Sequence, residues 1–216
     1  NAEIVWYKND GYILKSCQQI ILTAEGGYLS CGYADDQKGY AQKLDSDGNL
    51  VWEKFYPSTE SVLLLKDALE IDSGNFLLYG DDFNANTLWK KAVLIKINNN
   101  GNEIWRKFYT PNNGTSVRGN NIIDYSGFYI LGGQVDLGSY LFKIDTNGDT
   151  LATKYIPYPF GTYSYEAETG LKRYKQNKLI FFRNPINSSQ HTYTDLFILD
   201  GNFNLIAEKE IIAPGF

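Results

Sequence analysis

The fold is decided by residues 40–56, which read YAQKLDSDGNLVWEKFY. Apolar and polar residues alternate in two segments, and a polar turn containing Gly48 joins them, as in a β-hairpin. Similar stretches follow at 93–109 (VLIKINNNGNEIWRKFY), 140–156 (YLFKIDTNGDTLATKYI) and 195–211 (DLFILDGNFNLIAEKEI). A strand–turn–strand unit that recurs about every fifty residues indicates a repeat protein.

Each repeat divides into four strand candidates, which in the first repeat cover residues 14–22, 28–33, 40–44 and 50–56. Short alternating strands, glycine-rich turns and the lack of helical periodicity predict an all-β fold. Four-stranded units at this spacing are typical of propeller blades, which bury their faces against one another. The sequence therefore predicts a β-propeller with about four four-stranded blades, or part of a larger propeller.

No linker or low-complexity segment interrupts the repeats, so a single domain over residues 1–216 is expected. The repeats cover approximately 12–56, 61–109, 116–156 and 164–211, and an extra strand is expected at 3–8. Terminal repeats tend to diverge, and the fourth is the most divergent here.

Two repeat positions carry most of the structural information. The fifth residue of the second strand candidate is glycine in three repeats and arginine in the fourth, namely Gly32, Gly80, Gly132 and Arg183. A glycine at the end of a strand suggests a bend or a close backbone approach. The fourth strand candidates share an aromatic residue at Trp6, Trp52 and Trp105, and alanine replaces it at Ala152 and Ala207. A tryptophan that recurs at one repeat position indicates packing between blades.

Composition excludes several classes of function. The hydrophobic fraction is 43 % and the charged fraction 21 %, which is typical of a globular protein. A net charge of −5 disfavours nucleic-acid binding. No apolar run is long enough to predict a transmembrane segment, and no motif indicates a cofactor. The chain begins at Asn1 and contains no Met, which fits an exported protein with a processed N-terminus or an excised fragment.

Cys17 and Cys31 fall on adjacent antiparallel strand candidates of the first repeat. A turn near 24–26 places them almost opposite each other, where a disulfide is possible and would indicate an oxidising compartment. The alternative is a pair of small buried apolar residues.

The cadence GGYLSCGY (26–33) followed by YAQKLDSDGNLVWEKFY resembles the repeats of secreted and cell-surface bacterial β-propellers, including proteins exported by the type IX route. The resemblance covers nearly the whole chain and is strongest in residues 26–109. It implies a propeller fold and an extracellular or surface location, and it implies no particular activity.

Motifs with possible chemistry each have a simpler explanation. The turns 45–49 and 145–149 resemble the start of calcium loops, but no bidentate glutamate follows, and hairpin turns are strongly favoured. No metal site is therefore predicted.

A lone histidine, His191, cannot form a multi-histidine centre. The carboxylate pairs at 35–36 and 81–82 could serve glycoside cleavage, but no spacing selects a catalytic pair. No catalytic residue is predicted.

Loop variability predicts where a partner binds. In each repeat, the turns that join the first strand to the second and the third strand to the fourth are short and regular. The connections at the other ends of the strands vary in length and chemistry, including 34–39, 81–90, 134–139 and 183–194. Variable loops on a rigid scaffold usually carry binding residues. The predicted interaction face comprises Asp35, Asp36, Asp81, Asp82, Trp89, Asp136, Tyr163 and His191. Trp89 either binds a partner or covers the core beneath its loop.

These residues suit a protein or glycan partner. The sequence thus predicts a non-enzymatic extracellular or surface scaffold that binds proteins within a larger assembly. A glycan-binding module is the alternative, and a glycoside-active enzyme is a weaker one.

Overall fold

The protein is described from a computed structural model, which covers residues 15–72, 74–111, 116–135, 137–158, 162–163, 169–175, 178–183, 186–187 and 193–212. Within these ranges, every regular element is a β-strand. The described residues include no helix long and apolar enough to cross a membrane. The strand expected at 3–8 lies outside the described residues.

The first two repeats form two four-stranded antiparallel sheets, in which strands that follow one another in sequence are neighbours. Sheet 1 consists of β1 (Lys15–Leu22), β2 (Tyr28–Ala34), β3 (Gly39–Leu44) and β4 (Leu50–Tyr56). Sheet 2 consists of β5 (Val62–Asp72), β6 (Asn75–Phe83), β7 (Lys90–Ile97) and β8 (Glu103–Tyr109).

The last two repeats form two further four-stranded antiparallel sheets. Sheet 3 consists of β9 (Arg118–Tyr125), β10 (Phe128–Val135), β11 (Gly138–Ile144) and β12 (Thr150–Pro157). In order along the chain, the next elements are β13 (Thr162–Tyr163), β14 (Thr169–Tyr174), β15 (Lys178–Arg183), β16 (Ile186–Asn187), β17 (Tyr193–Asp200) and β18 (Leu205–Ile212). Sheet 4 is formed by β14, β15, β17 and β18, and the two short strands β13 and β16 pair separately.

The predicted fold class is confirmed, because four four-stranded antiparallel blades account for the four repeats. In the first repeat, the strand bounds differ from the prediction by one residue at most. Gly48, Gly101 and Gly148 adopt positive φ angles of 80°, 75° and 83° in the turns between the third and fourth strands. Phe203 occupies the corresponding turn of sheet 4 with a φ of 64°.

The glycines expected to end the second strands lie within them, because β2 and β6 continue past Gly32 and Gly80, and they accommodate β-bulges in the first strands. Strand β1 shifts register between Cys17 and Gln19, opposite Gly32 and Cys31. A side-chain carbon built on Gly32 would lie 1.9 Å from the Ser16 carbonyl oxygen, so only glycine fits beside the bulge. Gly80 has the same relation to the Leu64 carbonyl oxygen. Strand β14 pairs with β15 without a register shift, and Arg183 stands at this position.

Contacts divide the described chain into two compact units. The first contains the residues up to Trp89 and Val93–Lys107, and the second contains Lys90–Ala92 and the residues from Phe108 onwards. A core built around Leu29, Leu65, Phe76 and Ile95 fills the first unit. The second has a core built around Ile130, Leu171, Phe181, Phe197 and Phe203. The single domain predicted over the whole chain stays a prediction.

Candidate functional site

The loop between β6 and β7 is the best-defined part of the predicted interaction face. Asn84 N donates to the Trp89 carbonyl oxygen at 2.9 Å, and Leu88 N donates to the Asn84 carbonyl oxygen at 2.8 Å. Asn84 Oδ1 also accepts from the backbone nitrogens of Asn86 and Thr87. These bonds hold the loop in one conformation. Leu88 and Trp89 are 69 % and 41 % exposed at its end.

The loop between β2 and β3 carries two of the predicted residues, Asp35 and Asp36, and both are exposed. Lys38 Nζ donates to Asp36 Oδ2 at 2.8 Å, and this hydrogen bond lowers the pKa of Asp36. The Gln37 carbonyl oxygen accepts from Leu63 N at 3.0 Å, which ties the loop to the first strand of sheet 2.

Asp81 and Asp82 are not loop residues, which corrects the sequence prediction. Strand β6 continues to Phe83, so both carboxylates lie within the strand and are fully buried. Asp82 accepts hydrogen bonds from Ser58, from Thr59 N at 2.9 Å and from Thr59 Oγ1 at 2.7 Å. Asp81 forms an ion pair with Lys66, the extra residue of the bulge in β5. Asp82 therefore fixes the backbone at Thr59, whereas Asp81 pairs with a side chain.

Three predicted residues cannot be placed in the site. Asp136 and His191 lie outside the described residues. Tyr163 belongs to the short strand β13, whose described features are limited to its backbone pairing with Ile186.

The turns that resemble calcium loops use their carboxylates internally. Asp45 Oδ1 accepts from the backbone nitrogens of Asp47 and Asn49 at 3.0 and 2.8 Å. Asp145 makes the equivalent bonds in sheet 3. Asn98 does the same in sheet 2 without any charge, so the turn depends on a side-chain oxygen acceptor rather than on a metal ligand.

Both cysteines are free thiols, so the possible disulfide is not formed. The bulge after Cys17 pairs this residue with Gly32, whereas Cys31 pairs with Gln19. The two cysteines are therefore out of register. Cys17 is exposed and Cys31 is buried, and burial raises the pKa of the Cys31 thiol.

Within the first unit, the recurrent tryptophan packs as its repetition indicated. Trp52 Nε1 donates to the Asn99 carbonyl oxygen in the next sheet at 2.7 Å. Tyr56 donates from its hydroxyl group to the Gly101 carbonyl oxygen at 2.9 Å. A side-chain carbon on Gly101 would lie 2.8 Å from the Trp52 ring, so the glycine makes room for the indole.

The second unit contains a cleft between β12 and sheet 4, with a volume of about 340 Å³. Apolar side chains form most of its wall, namely Ile156, Pro157, Phe197, Leu199 and Leu205. Tyr155 and Tyr158 add aromatic surface, and Lys154 and Glu208 supply exposed charges. The Tyr155 hydroxyl donates to the Leu137 carbonyl oxygen at 2.8 Å, which fixes the ring. Burial raises the pKa of Tyr155.

Arg183 is the charged group inside this cleft, and it is only 2 % exposed. Its Nε donates to Asp195 Oδ2 at 2.9 Å, and its Nη1 donates to the Ile156 carbonyl oxygen at 2.9 Å. The guanidinium carbon lies 4.7 Å from the Tyr158 ring centroid and 4.9 Å from that of Phe197. Such stacking favours a cation away from water.

Sequence reasoning did not select the cleft, although one signal was present. Arg183 stands where the second strands of the other three repeats have glycine. The change from glycine to the largest cationic side chain requires space that is absent beside Gly32 and Gly80. Asp195 and Phe197 lie on β17, next to Arg183 in sheet 4, whereas Tyr158 directly follows β12 of sheet 3, so their convergence depends on tertiary structure.

Comparisons with known proteins do not identify a family. No protein-family model matches the chain, and no curated protein matches it. A solved structure of a protein of unknown function from Bacteroides caccae is similar, with 10 % identity and a TM-score of 0.47. The match covers 85 % of this chain and 73 % of that chain. A likeness at this level carries no argument about function.

Proposed function

We propose that this protein is a non-catalytic binding scaffold, exported or displayed at the cell surface, and that its loop at 84–89 contacts a protein partner. The exposure of Leu88 and Trp89 on a hydrogen-bonded loop is the observation that supports this. Tryptophan is enriched among residues that dominate interface energies. A loop already held in one conformation loses little further entropy on binding.

A non-catalytic role fits the way the acidic residues are used. Asp82 is saturated by Ser58 and Thr59, and Asp81 is paired with Lys66. Asp36 is paired with Lys38 at the surface. A general acid–base pair needs carboxylates that face a shared substrate position, whereas these carboxylates bond to neighbouring groups of the chain.

Site-specific photocrosslinking tests the proposed contact. A photoreactive phenylalanine analogue replaces Trp89 in cells of the organism that makes the protein, and Val51, which is 56 % exposed on β4, is the control position. We expect a discrete crosslinked protein from position 89 and none from position 51. The proposal is wrong if position 89 gives no crosslink, or if both positions give the same one.

The proposed location has a separate test. Protease added to intact cells should degrade the protein when it is displayed at the surface, and export should place it in the culture medium. A protein that stays protected until the cells are lysed would contradict the surface assignment without bearing on the loop contact.

Glycan binding is the second candidate, because the exposed Trp89 indole is a surface on which a sugar ring can stack. A glycan array compares the intact protein with Trp89→Ala, and Val51→Ala is the matched control. Selective glycan binding that Trp89→Ala abolishes and Val51→Ala retains would favour this candidate over a protein partner.

A further inference from the structure

The buried guanidinium of Arg183 has donor capacity that the described chain does not use. An arginine side chain carries five N–H donors. Those of Arg183 bond to Asp195 through Nε and to the Ile156 carbonyl oxygen through Nη1. Among the described residues, none accepts a hydrogen bond from its Nη2. A cation with an unused N–H donor favours an acceptor that enters the cleft, and an anionic acceptor most of all.

Charge specifies the type of acceptor. Asp195 engages the guanidinium at Nε and the Ile156 carbonyl oxygen engages Nη1, which leaves the Nη2 group available to a second carboxylate. Lys154 adds a second positive charge at the edge of the cleft. Glu208 is exposed there, and water screens its charge more strongly than that of a buried group.

The walls specify the remainder of the ligand. Phe197, Leu199 and Leu205 form an apolar surface next to the guanidinium. The volume of about 340 Å³ lies at the lower end of the range of small-ligand pockets, roughly 300–1,000 Å³. The cleft therefore suits a small apolar molecule that carries one anionic group within reach of Arg183.

We propose that this cleft binds the carboxylate of a small apolar acid or of an apolar C-terminal residue of a peptide, with Arg183 as the carboxylate-binding residue. The site lies wholly in the second unit and does not depend on the loop at 84–89. It is therefore a second binding site, distinct from the proposed protein contact.

Calorimetric titration of the full chain with matched probes tests the ligand class. The probes are N-acetyl-L-phenylalanine, its neutral amide and 3-phenylpropionate. We expect the acid to bind at least about tenfold more tightly than the amide, because the charge-assisted hydrogen bonds are lost with the amide. Equal affinity for acid and amide, or no binding of either acid at 10 mM (about the weakest affinity worth assigning to such a site), would overturn the proposal.

The two acids also distinguish the two sources of the carboxylate. Similar affinities for 3-phenylpropionate and N-acetyl-L-phenylalanine support a small apolar acid. Tighter binding of the acetylated amino acid supports a peptide C-terminus, because its amide group adds contacts that the simple acid lacks.

Two variants locate the binding without relying on a change that could unfold the sheet. Arg183→Gln with Asp195→Asn removes both charges of the buried pair together, and acid binding should fall by at least about tenfold. Leu205→Trp blocks the cleft from a position that is 52 % exposed, so the fold should be retained. Its matched control is Leu50→Trp, at the same repeat position of β4 and 44 % exposed. Unchanged acid binding in Leu205→Trp, or equal losses in both tryptophan variants, would also overturn the proposal.

Discussion

In both units a large side chain fills the contact between a fourth strand and the turn of the next sheet, but a different position supplies it. In the first unit, the large side chain belongs to the outer strand, because Trp52 lies against Gly101 in the turn of the next sheet. In the second unit, Ala152 stands at the tryptophan position and Phe203 at the glycine position. Phe203 is buried in the apolar cluster against which Ala152 packs. The strand supplies the large side chain in the first unit, and the turn supplies it in the second.

This exchange shows that the volume at the contact matters more than which sheet supplies it. Cores accept coupled changes that keep the total volume. The hydroxyl group of Tyr56 bonds to the Gly101 carbonyl oxygen, and Tyr109 makes the same bond to Gly148. Ile156 stands at this repeat position in β12 and has no hydroxyl group. Ile156 lines the cleft that contains Arg183. The strand that carries isoleucine instead of tyrosine is thus the one that lines the cleft.

Introducing the side chains of the second unit at this contact of the first unit should have the largest effect on the free energy of unfolding. Gly101→Phe places a ring against Trp52, and we expect the free energy of unfolding to fall by about 3 kcal/mol through overpacking and a left-handed backbone. Adding Trp52→Ala should restore about 1–2 kcal/mol relative to the sum of the single changes. Urea denaturation of the four proteins measures this coupling. Strictly additive effects would show that the two positions do not share one space.

Removal of the indole alone should open the first unit to reagents. Trp52 is partly buried, so we expect Trp52→Ala to cost about 2 kcal/mol. If Cys31 reacts through opening of this core, alkylation of its thiol should become about 30-fold faster. Mass spectrometry after iodoacetamide treatment measures this rate. Cys17 is exposed and should react quickly in every variant, and Val51→Ala is the control. An unchanged alkylation rate at Cys31 would show that Trp52 does not contribute to the stability of this core.

The tyrosine hydrogen bond should have a smaller effect. Tyr56→Phe removes the hydroxyl that donates to the Gly101 carbonyl oxygen, and we expect a loss of about 1 kcal/mol. Tyr109→Phe is the matched variant, since its hydroxyl donates to the Gly148 carbonyl oxygen at 2.8 Å. Urea denaturation should give similar losses for both. A loss in neither variant would mean that water replaces the hydroxyl without cost.

The smallest effect concerns acid sensitivity of the turns. Hydrogen bonds from Asn204, first from its side chain, lower the pKa of Asp200 in the turn of sheet 4. A lowered pKa in the folded state means that the stabilisation is present above the ordinary pKa of aspartate and is lost as the pH falls through the folded value. Asp200→Asn should therefore flatten the decline in stability below about pH 4.

The equivalent turn of sheet 2 provides the reverse experiment. Asn98 already makes the same backbone bonds without a titratable group. Asn98→Asp should introduce acid sensitivity where Asp200→Asn removes it, as measured by thermal unfolding at a series of pH values. Parallel pH profiles for both variants and the unmodified protein would show that neither carboxylate contributes.

The strands and turns could be predicted because their causes are local. Alternation in residues 40–56 fixes which side chains share a face, and Gly48 supplies the positive φ of the turn. The candidate site was predicted less well. Trp89 does lie exposed on a loop, but Asp81 and Asp82 were placed in that loop although β6 extends past them. Two adjacent aspartates resemble a loop in sequence because their buried partners, Ser58, Thr59 and Lys66, lie elsewhere in the chain.

By itself, the sequence determined that this chain forms repeated four-stranded antiparallel sheets, since a two-residue alternation and a glycine in the hairpin turns of the first three repeats act within one hairpin. Only the tertiary structure decided that two aspartates are buried anchors and that Cys17 and Cys31 are out of register. It also decided that Arg183 lies between Tyr158 and Phe197. Each of these depends on a bulge or a contact between separate strands, and the energy of such contacts comes from groups that are distant in sequence and close in space.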